Sequence, residues 1–292
     1  MADGVVSGSD RTGVADAGGG HMDSGVGSRR RLGRIIPPNQ PAVWLPIDDA
    51  LITGPEHFLR NPKRLLSPAL IENLTAVLGF GGILSACQEE LAGIPFIMNL
   101  SGSTMRGEHT RKVDIARVTD AVRVGADAVA YHINVTSPFE EDMLHRLGIL
   151  VSEANALGMP VVAIAYPRGR AVGGEDDNYI DLRTRREDEF AGLVRHCARI
   201  AVELGVSAVK TIFTGSADSF STVVDASCGI PVLIAGEEFT SKEEAIWKAR
   251  AAVRAGAAGV AFGRQIFQRD DPKPFVVDLK LAVTEEWQRT RY

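Results

Sequence analysis

The residue of this sequence best suited to covalent chemistry is a lysine, Lys210, near the end of the run Gly205-Val-Ser-Ala-Val-Lys-Thr-Ile-Phe213. The run is apolar and β-branched and reads as a buried strand. Burial disfavours the ammonium form and lowers a lysine pKa by up to about 3–5 units from its ordinary value of ~10.4. A shift to ~7–8 leaves a sizeable fraction as free amine, which attacks a carbonyl carbon and forms a Schiff base. The other lysines (63, 112, 242, 248, 273 and 280) lie in polar or amphipathic stretches. On this reading Lys210 stands apart from all of them.

A reactive amine needs a rigid frame, and the sequence predicts one. From residue 41 short apolar runs recur, opened alternately by proline or by a glycine that ends the preceding helix. The proline type is Pro41-Ala-Val-Trp-Leu, Pro95-Phe-Ile-Met, Pro160-Val-Val-Ala-Ile-Ala and Pro231-Val-Leu-Ile-Ala. The glycine type is Gly81-Gly-Ile-Leu, Gly125-Ala-Asp-Ala-Val-Ala, Gly205-Val-Ser-Ala-Val and Gly256-Ala-Ala-Gly-Val-Ala. Proline is tolerated at a strand's first position, and glycine past a helix end takes the left-handed cap at little cost. Between these runs, 138–157, 187–204 and 242–255 carry apolar residues at helical spacing. Ser137-Pro-Phe-Glu140 and Ser241-Lys-Glu-Glu244 fit capping boxes, while Ser67-Pro68 and Asp271-Pro272 mark two further helix starts. Eight strands alternating with helices predict a parallel sheet closed into a (β/α)8 TIM barrel. No Gly-x-Gly-x-x-Gly turn follows the first strand, which argues against an open dinucleotide-binding sheet.

In such a barrel, chemistry collects where strands end. The first strand ends at Asp48-Asp49, the third at Asn99-Leu-Ser101, the fourth at His132-Ile-Asn134 and the fifth at Tyr166-Pro-Arg168. Lys210 is on the sixth, Gly236-Glu237 ends the seventh, and Gly263-Arg264 ends the eighth. Each has a plainer reading: Lys210 snorkelling to solvent, Tyr166 packing, Asp48 or Asp49 capping a loop, His132 as an interior histidine, and both glycines as simple turns. Loops after strands seven and eight commonly bind phosphate through backbone N–H groups, and Arg264-Gln-Ile-Phe-Gln268 is a candidate for the short helix found there. Ser101 and Arg168 are candidates for further substrate contacts.

Composition narrows the function classes. Of 292 residues 45% are hydrophobic, enough for a sizeable core, and the net charge of −5 is spread over interspersed acids and bases. That balance argues against a nucleic-acid partner and for a small-molecule enzyme. Three scattered cysteines suit reduced thiols in the cytoplasm, and no apolar stretch is long enough to span a membrane. Residues 1–30 hold little that could be buried and read as a disordered tail rich in Gly, Ser and Asp, with 31–292 as the barrel domain. The run Arg29-Arg30-Arg31 belongs to that tail on this reading. No two histidines have metal-ligand spacing, and no cofactor is expected.

Three stretches carry a family resemblance: Met159-Pro-Val-Val-Ala-Ile-Ala-Tyr-Pro-Arg-Gly169, Val209-Lys-Thr-Ile-Phe-Thr-Gly215 and Gly259-Val-Ala-Phe-Gly-Arg-Gln-Ile-Phe-Gln268. Together they resemble the class I aldolases of the DeoC/FbaB family, which includes archaeal-type fructose-bisphosphate aldolases and 2-amino-3,7-dideoxy-D-threo-hept-6-ulosonate synthases. The resemblance runs from about Arg31 to the C-terminal helix and is greatest to the heptulosonate branch. It implies a Schiff base on Lys210, Tyr166 as general acid/base, Asp48 assisting proton transfer, and Gly236, Gly263 and Arg264 holding a substrate phosphate. It also implies a homo-oligomer, as a ring or stacked rings. Three features depart from the family pattern: Asp49-Ala50 where His-Gly is usual, Glu237 where a second glycine is usual, and a longer segment from Arg168 to Glu187 that suits a mobile lid.

The expected reaction joins a phosphorylated keto donor, dihydroxyacetone phosphate or a deoxyketohexose phosphate, to an aldehyde. Arg168, Arg170 or Arg183 clamping an acceptor carboxylate would suit L-aspartate semialdehyde. Fructose-bisphosphate cleavage is the nearest alternative. A metal-dependent aldolase on the same barrel, or a non-catalytic barrel that binds sugar phosphates, are the others.

Overall fold

The computed structural model describes residues 25–169 and 178–291. Through them run β1 (Ala42–Pro46), β2 (Ala76–Gly79), β3 (Phe96–Asn99), β4 (Ala128–Asn134), β5 (Val161–Tyr166), β6 (Ala208–Thr211), β7 (Val232–Ala235) and β8 (Gly259–Ala261). All pair in parallel and close into a barrel, β1 meeting β8 on one side and β2 on the other. This is the expected (β/α)8 architecture. Both faces of each strand are buried, so the strands read as continuous apolar runs. Alternate residues such as Trp44, Leu78, Ile97, Val162, Ala208 and Leu233 fill the interior. Their neighbours, such as Val43, Val77, Val129, Val209 and Val260, face the surrounding helices. The three long predicted helices form at Glu140–Ala156, Glu187–Glu203 and Lys242–Arg254.

Caps agree with the sequence unevenly. Ser241 is an N-cap whose Oγ accepts from the Glu244 N–H at 3.1 Å. Ser137 is not, since that helix starts at Glu140 and the Ser137 hydroxyl accepts from the Phe139 N–H instead. Among the described residues no helix is long and apolar enough to cross a membrane.

Three expectations need correction. The second strand is Ala76–Gly79, whereas Gly81–Ala86, read as a strand, is a short helix. Glycine opened both possibilities, and the true strand begins after Thr75 with neither signal. Secondly, a helix spans Gly25–Ile35, so residues 25–30 of the stretch expected to be tail are helical. It lies under the barrel's N-terminal end, where Ile35 packs on the interior cluster and its carbonyl accepts from Trp44 Nε1 at 2.7 Å. Arg31 donates to the Gly158 carbonyl and Arg34 pairs with Asp127, so these arginines tie the helix down. Thirdly, Lys112 is only 4% exposed, with its Nζ 2.6 Å from Ser103 Oγ, so Lys210 is not the one buried lysine.

β8 approaches β1 so closely that Gly259, at φ +153°, has no room for a side chain: a Cβ there would lie 2.0 Å from the Ala42 carbonyl oxygen. Gly259→Ala is expected to lower stability by about 3 kcal/mol or more, combining backbone strain with overpacking. Urea unfolding of the two proteins checks this, and a loss below about 1 kcal/mol would contradict it.

Candidate active site

The alternation that fills the barrel with apolar side chains continues upward into polar ones. Two residues beyond Ala208 is Lys210, level with Ile164 on β5 and Leu233 on β7. Two beyond Ile164 is Tyr166, two beyond Ile97 is Asn99, two beyond Ala130 is His132, and Asp48 follows Pro46. These side chains therefore converge above the apolar plug. All but Asn99 border an open cleft, lined by Asp48, His132, Tyr166, Lys210, Gly236 and Arg264 among others.

Lys210 is 6% exposed and Asp48 8% exposed. Burial lowers the lysine pKa; Asp48 and Asp49 oppose that, and Arg264 adds to it. Burial is the largest of these influences, so the amine is biased toward its neutral, nucleophilic form. Burial also lifts the Tyr166 phenol above its usual range, so it carries its proton at neutral pH. The His132 ring stands edge-on to Tyr166, with centroids 4.9 Å apart.

A hydrogen-bonded chain fixes the carboxylate. Asn99 Nδ2 donates to Asp48 Oδ2 at 2.8 Å, while Asn99 Oδ1 accepts from the Ser101 N–H and hydroxyl. Ser101 Oγ in turn accepts from the His132 N–H at 2.8 Å. Ser101 is thus a correction. It is buried behind the site and supports Asn99 rather than bordering the cleft, because the chain turns after Leu100 into an antiparallel pair, Ser101–Gly102 with Val113–Asp114.

Arg168 does reach the cleft. Its Nη1 lies 2.8 Å from His109 Nε2, and since a guanidinium only donates, that imidazole nitrogen must accept. His109 is therefore neutral, its pKa pushed down to about 3 by burial and by Lys112 and Arg168. His132 is lowered for the same reasons, and its Nε2 has no hydrogen-bond partner among the described residues. Both histidines border the cleft: His132 as its place at the end of the fourth strand predicts, His109 without any signal from sequence spacing.

Across the cleft, Gly236 and Gly263 leave backbone exposed where a side chain would collide. A Cβ on Gly263 would lie 2.8 Å from the Pro46 carbonyl oxygen, and one on Gly236 3.0 Å from Gln265. The expected short helix forms at Arg264–Phe267. Gln265, fully buried, donates to the carbonyls of Gly236 and Glu238 and so holds the loop after β7. Asp49 Oδ2 is 4.0 Å from Arg264 Nε, and burial raises its carboxyl pKa.

Glu237 takes the left-handed conformation, φ +54°. That costs a residue with a Cβ about 1–2 kcal/mol. Its side chain, 10% exposed, turns to Arg183, with which it forms an ion pair. Arg183 belongs to the helix Asn178–Arg185, so the later part of the expected lid is helical; Arg170 lies outside the described residues. The Arg183 guanidinium sits over the Tyr179 and Phe190 rings, 5.5 and 4.8 Å from their centroids. Among the described residues no group of three or more His, Cys, Asp and Glu is placed to hold a metal ion.

Comparison with known proteins bears on this arrangement. Residues 42–269 match the model of the DeoC/LacD family of aldolases. The chain is 33% identical to 2-amino-3,7-dideoxy-D-threo-hept-6-ulosonate synthase of Halobacterium salinarum, over 89% of this chain and 93% of that protein. It is 33% identical to the class 1 fructose-bisphosphate aldolase of Thermoproteus tenax, over 83% of this chain and 89% of that one. Among solved structures, an archaeal fructose-1,6-bisphosphate aldolase with its catalytic lysine covalently bound to a carbinolamine intermediate superposes with a TM-score of 0.77 at 28% identity, covering 88% of this chain and 99% of that one. With a buried, depressed-pKa lysine at a strand end and these relatives around it, the chain belongs to the DeoC/LacD aldolase family and is a class I aldolase of the Schiff-base type.

Proposed function

We propose that this aldolase joins a phosphorylated keto donor, dihydroxyacetone phosphate or a deoxyketohexose phosphate, to L-aspartate semialdehyde in an amino-heptulosonate-type biosynthetic step. The observation that carries it is Lys210 on the inward face of β6, with Asp48 and Tyr166 bordering the same cleft. The neutral amine attacks the donor ketone to form a carbinolamine. The protonated Tyr166 phenol gives its proton to the departing hydroxyl, which leaves as water, and an iminium remains. The iminium withdraws electrons, so Asp48 can take the adjacent proton and leave an enamine rather than a free carbanion. The enamine carbon bonds to the aldehyde carbon, whose oxygen is protonated, and water then releases the product and restores the amine. Gly236, Gly263 and Arg264 hold the donor phosphate, and Arg168 faces the acceptor carboxylate.

Fructose 1,6-bisphosphate cleavage is the second reading, favoured by the Thermoproteus tenax relative and the archaeal aldolase structure. Both readings use the same three catalytic residues. Products identified by mass, from each donor with and without the amino aldehyde, separate them: the first reading fails if only the bisphosphate is turned over.

Borohydride reduction in the presence of a keto donor should add the donor's mass less one oxygen at Lys210, water having left and two hydrogens been gained, and inactivate the enzyme. An unmodified Lys210 peptide, or full activity in Lys210→Ala, would sink the mechanism. Tyr166→Phe removes the acid and should lower kcat by roughly 10²–10⁴-fold with the fold intact by circular dichroism. Asn99→Ala frees the Asp48 carboxylate from its tether; kcat should fall about 10–100-fold with a smaller change in KM.

A further inference from the structure

Glu237 is anomalous in both backbone and charge. A carboxylate stands where the chain conformation suits glycine, directly after Gly236 and within the cleft. The charges acting on it are those of Arg183, Lys248 and Arg264. Of these, Lys248 also pairs with Glu244 at 3.0 Å, and Arg264 faces Asp49. Arg183 is the partner in contact, through Nη2. Its Nε is buried and has no hydrogen-bond partner among the described residues, so the adjacent donor on the same edge of the guanidinium is unused. The two aromatic rings under Arg183 hold the plane of the guanidinium in place.

With the Glu237 carboxylate displaced, the Nε–Nη2 edge of Arg183 becomes open to an oxyanion from the cleft side, and a phosphate can engage both donors in parallel, where the Glu237 contact uses only Nη2. Resting on the reading that donor phosphate binds between β7 and β8, we propose that Glu237 is the specificity-determining residue of this pocket: its carboxylate occupies Arg183 in the empty enzyme, and a donor phosphate binds by taking Arg183 from it. An unphosphorylated ketone leaves the Glu237–Arg183 pair in place and gains nothing from the exchange. A phosphorylated donor gains two charge-assisted hydrogen bonds but must displace a buried carboxylate, which weakens its binding relative to a pocket with glycine at this position.

Calorimetric titration of inorganic phosphate into the wild-type protein, Glu237→Asn and Arg183→Ala tests the exchange. Asparagine keeps the left-handed backbone accessible while removing the charge; Glu237→Gly serves if the asparagine protein does not fold. Removing the competitor should tighten phosphate binding about 10-fold, and removing Arg183 should weaken it by a similar factor. In kinetics, Glu237→Asn should lower KM for a phosphorylated donor, leave kcat within about 2-fold and leave KM for dihydroxyacetone unchanged. Unchanged or weaker phosphate binding in the Glu237 variant, or unchanged binding in Arg183→Ala, would overturn the proposal. Phosphate titration needs no Schiff base, so an inert Lys210 would defeat the reaction proposed above without touching this result.

Discussion

Placing an amine inside a barrel penalises its charged form more than its neutral form, and the architecture of this site follows from that asymmetry. The apolar layers below Lys210 exclude water from its stem. The carboxylates of Asp48 and Asp49 work against the effect, since each stabilises an ammonium. Burial remains the larger influence, and the opposing pair of acids keeps the cost of the buried lysine bounded. A site with burial alone would be more reactive but harder to fold around; a site with the carboxylates alone would hold an inert ion pair.

The same economy governs the rest of the cleft. Asp48 is fixed by Asn99, Asn99 by Ser101, and Ser101 receives the backbone of β4 at His132, so one hydrogen-bonded chain links the ends of three strands. Rigid placement of a proton acceptor matters because proton transfer depends steeply on distance. On the opposite side the requirements reverse. Gly236 and Gly263 supply bare backbone, and Gln265 holds their loop from beneath. Glu237 and Asp49 each face an arginine, Arg183 and Arg264, so both carboxylates are compensated by a neighbouring charge.

The barrel was legible because its strands are buried on both faces and announced by proline or glycine. Where those signals misled, the reason was local. Gly81-Gly82-Ile83-Leu84 imitates a glycine-opened strand, while the real strand follows Thr75 with no punctuation. Lys210, Tyr166 and Asp48 could be placed by period-two alternation, and the same alternation points to Asn99, two residues past Ile97. Ser101 misled because the chain leaves the barrel wall at Leu100, a turn that strand periodicity does not encode. Lys112 and His109 were hidden for another reason. They lie in a polar loop whose burial comes only from what packs over it. Helix Gly25–Ile35 was obscured by glycines and arginines whose partners, Gly158 and Asp127, are distant in sequence.

Burial outweighs the neighbouring carboxylates and biases Lys210 toward its neutral amine. Isotope-edited NMR of the lysine side chains, assigned by comparison with Lys210→Ala, follows its titration directly in the absence of substrate. The Lys210 pKa should lie below the ordinary lysine value of ~10.4 and fall further in Asp48→Asn as one opposing charge is removed. A value at or above ~10.4, or one that rises in Asp48→Asn, would contradict it.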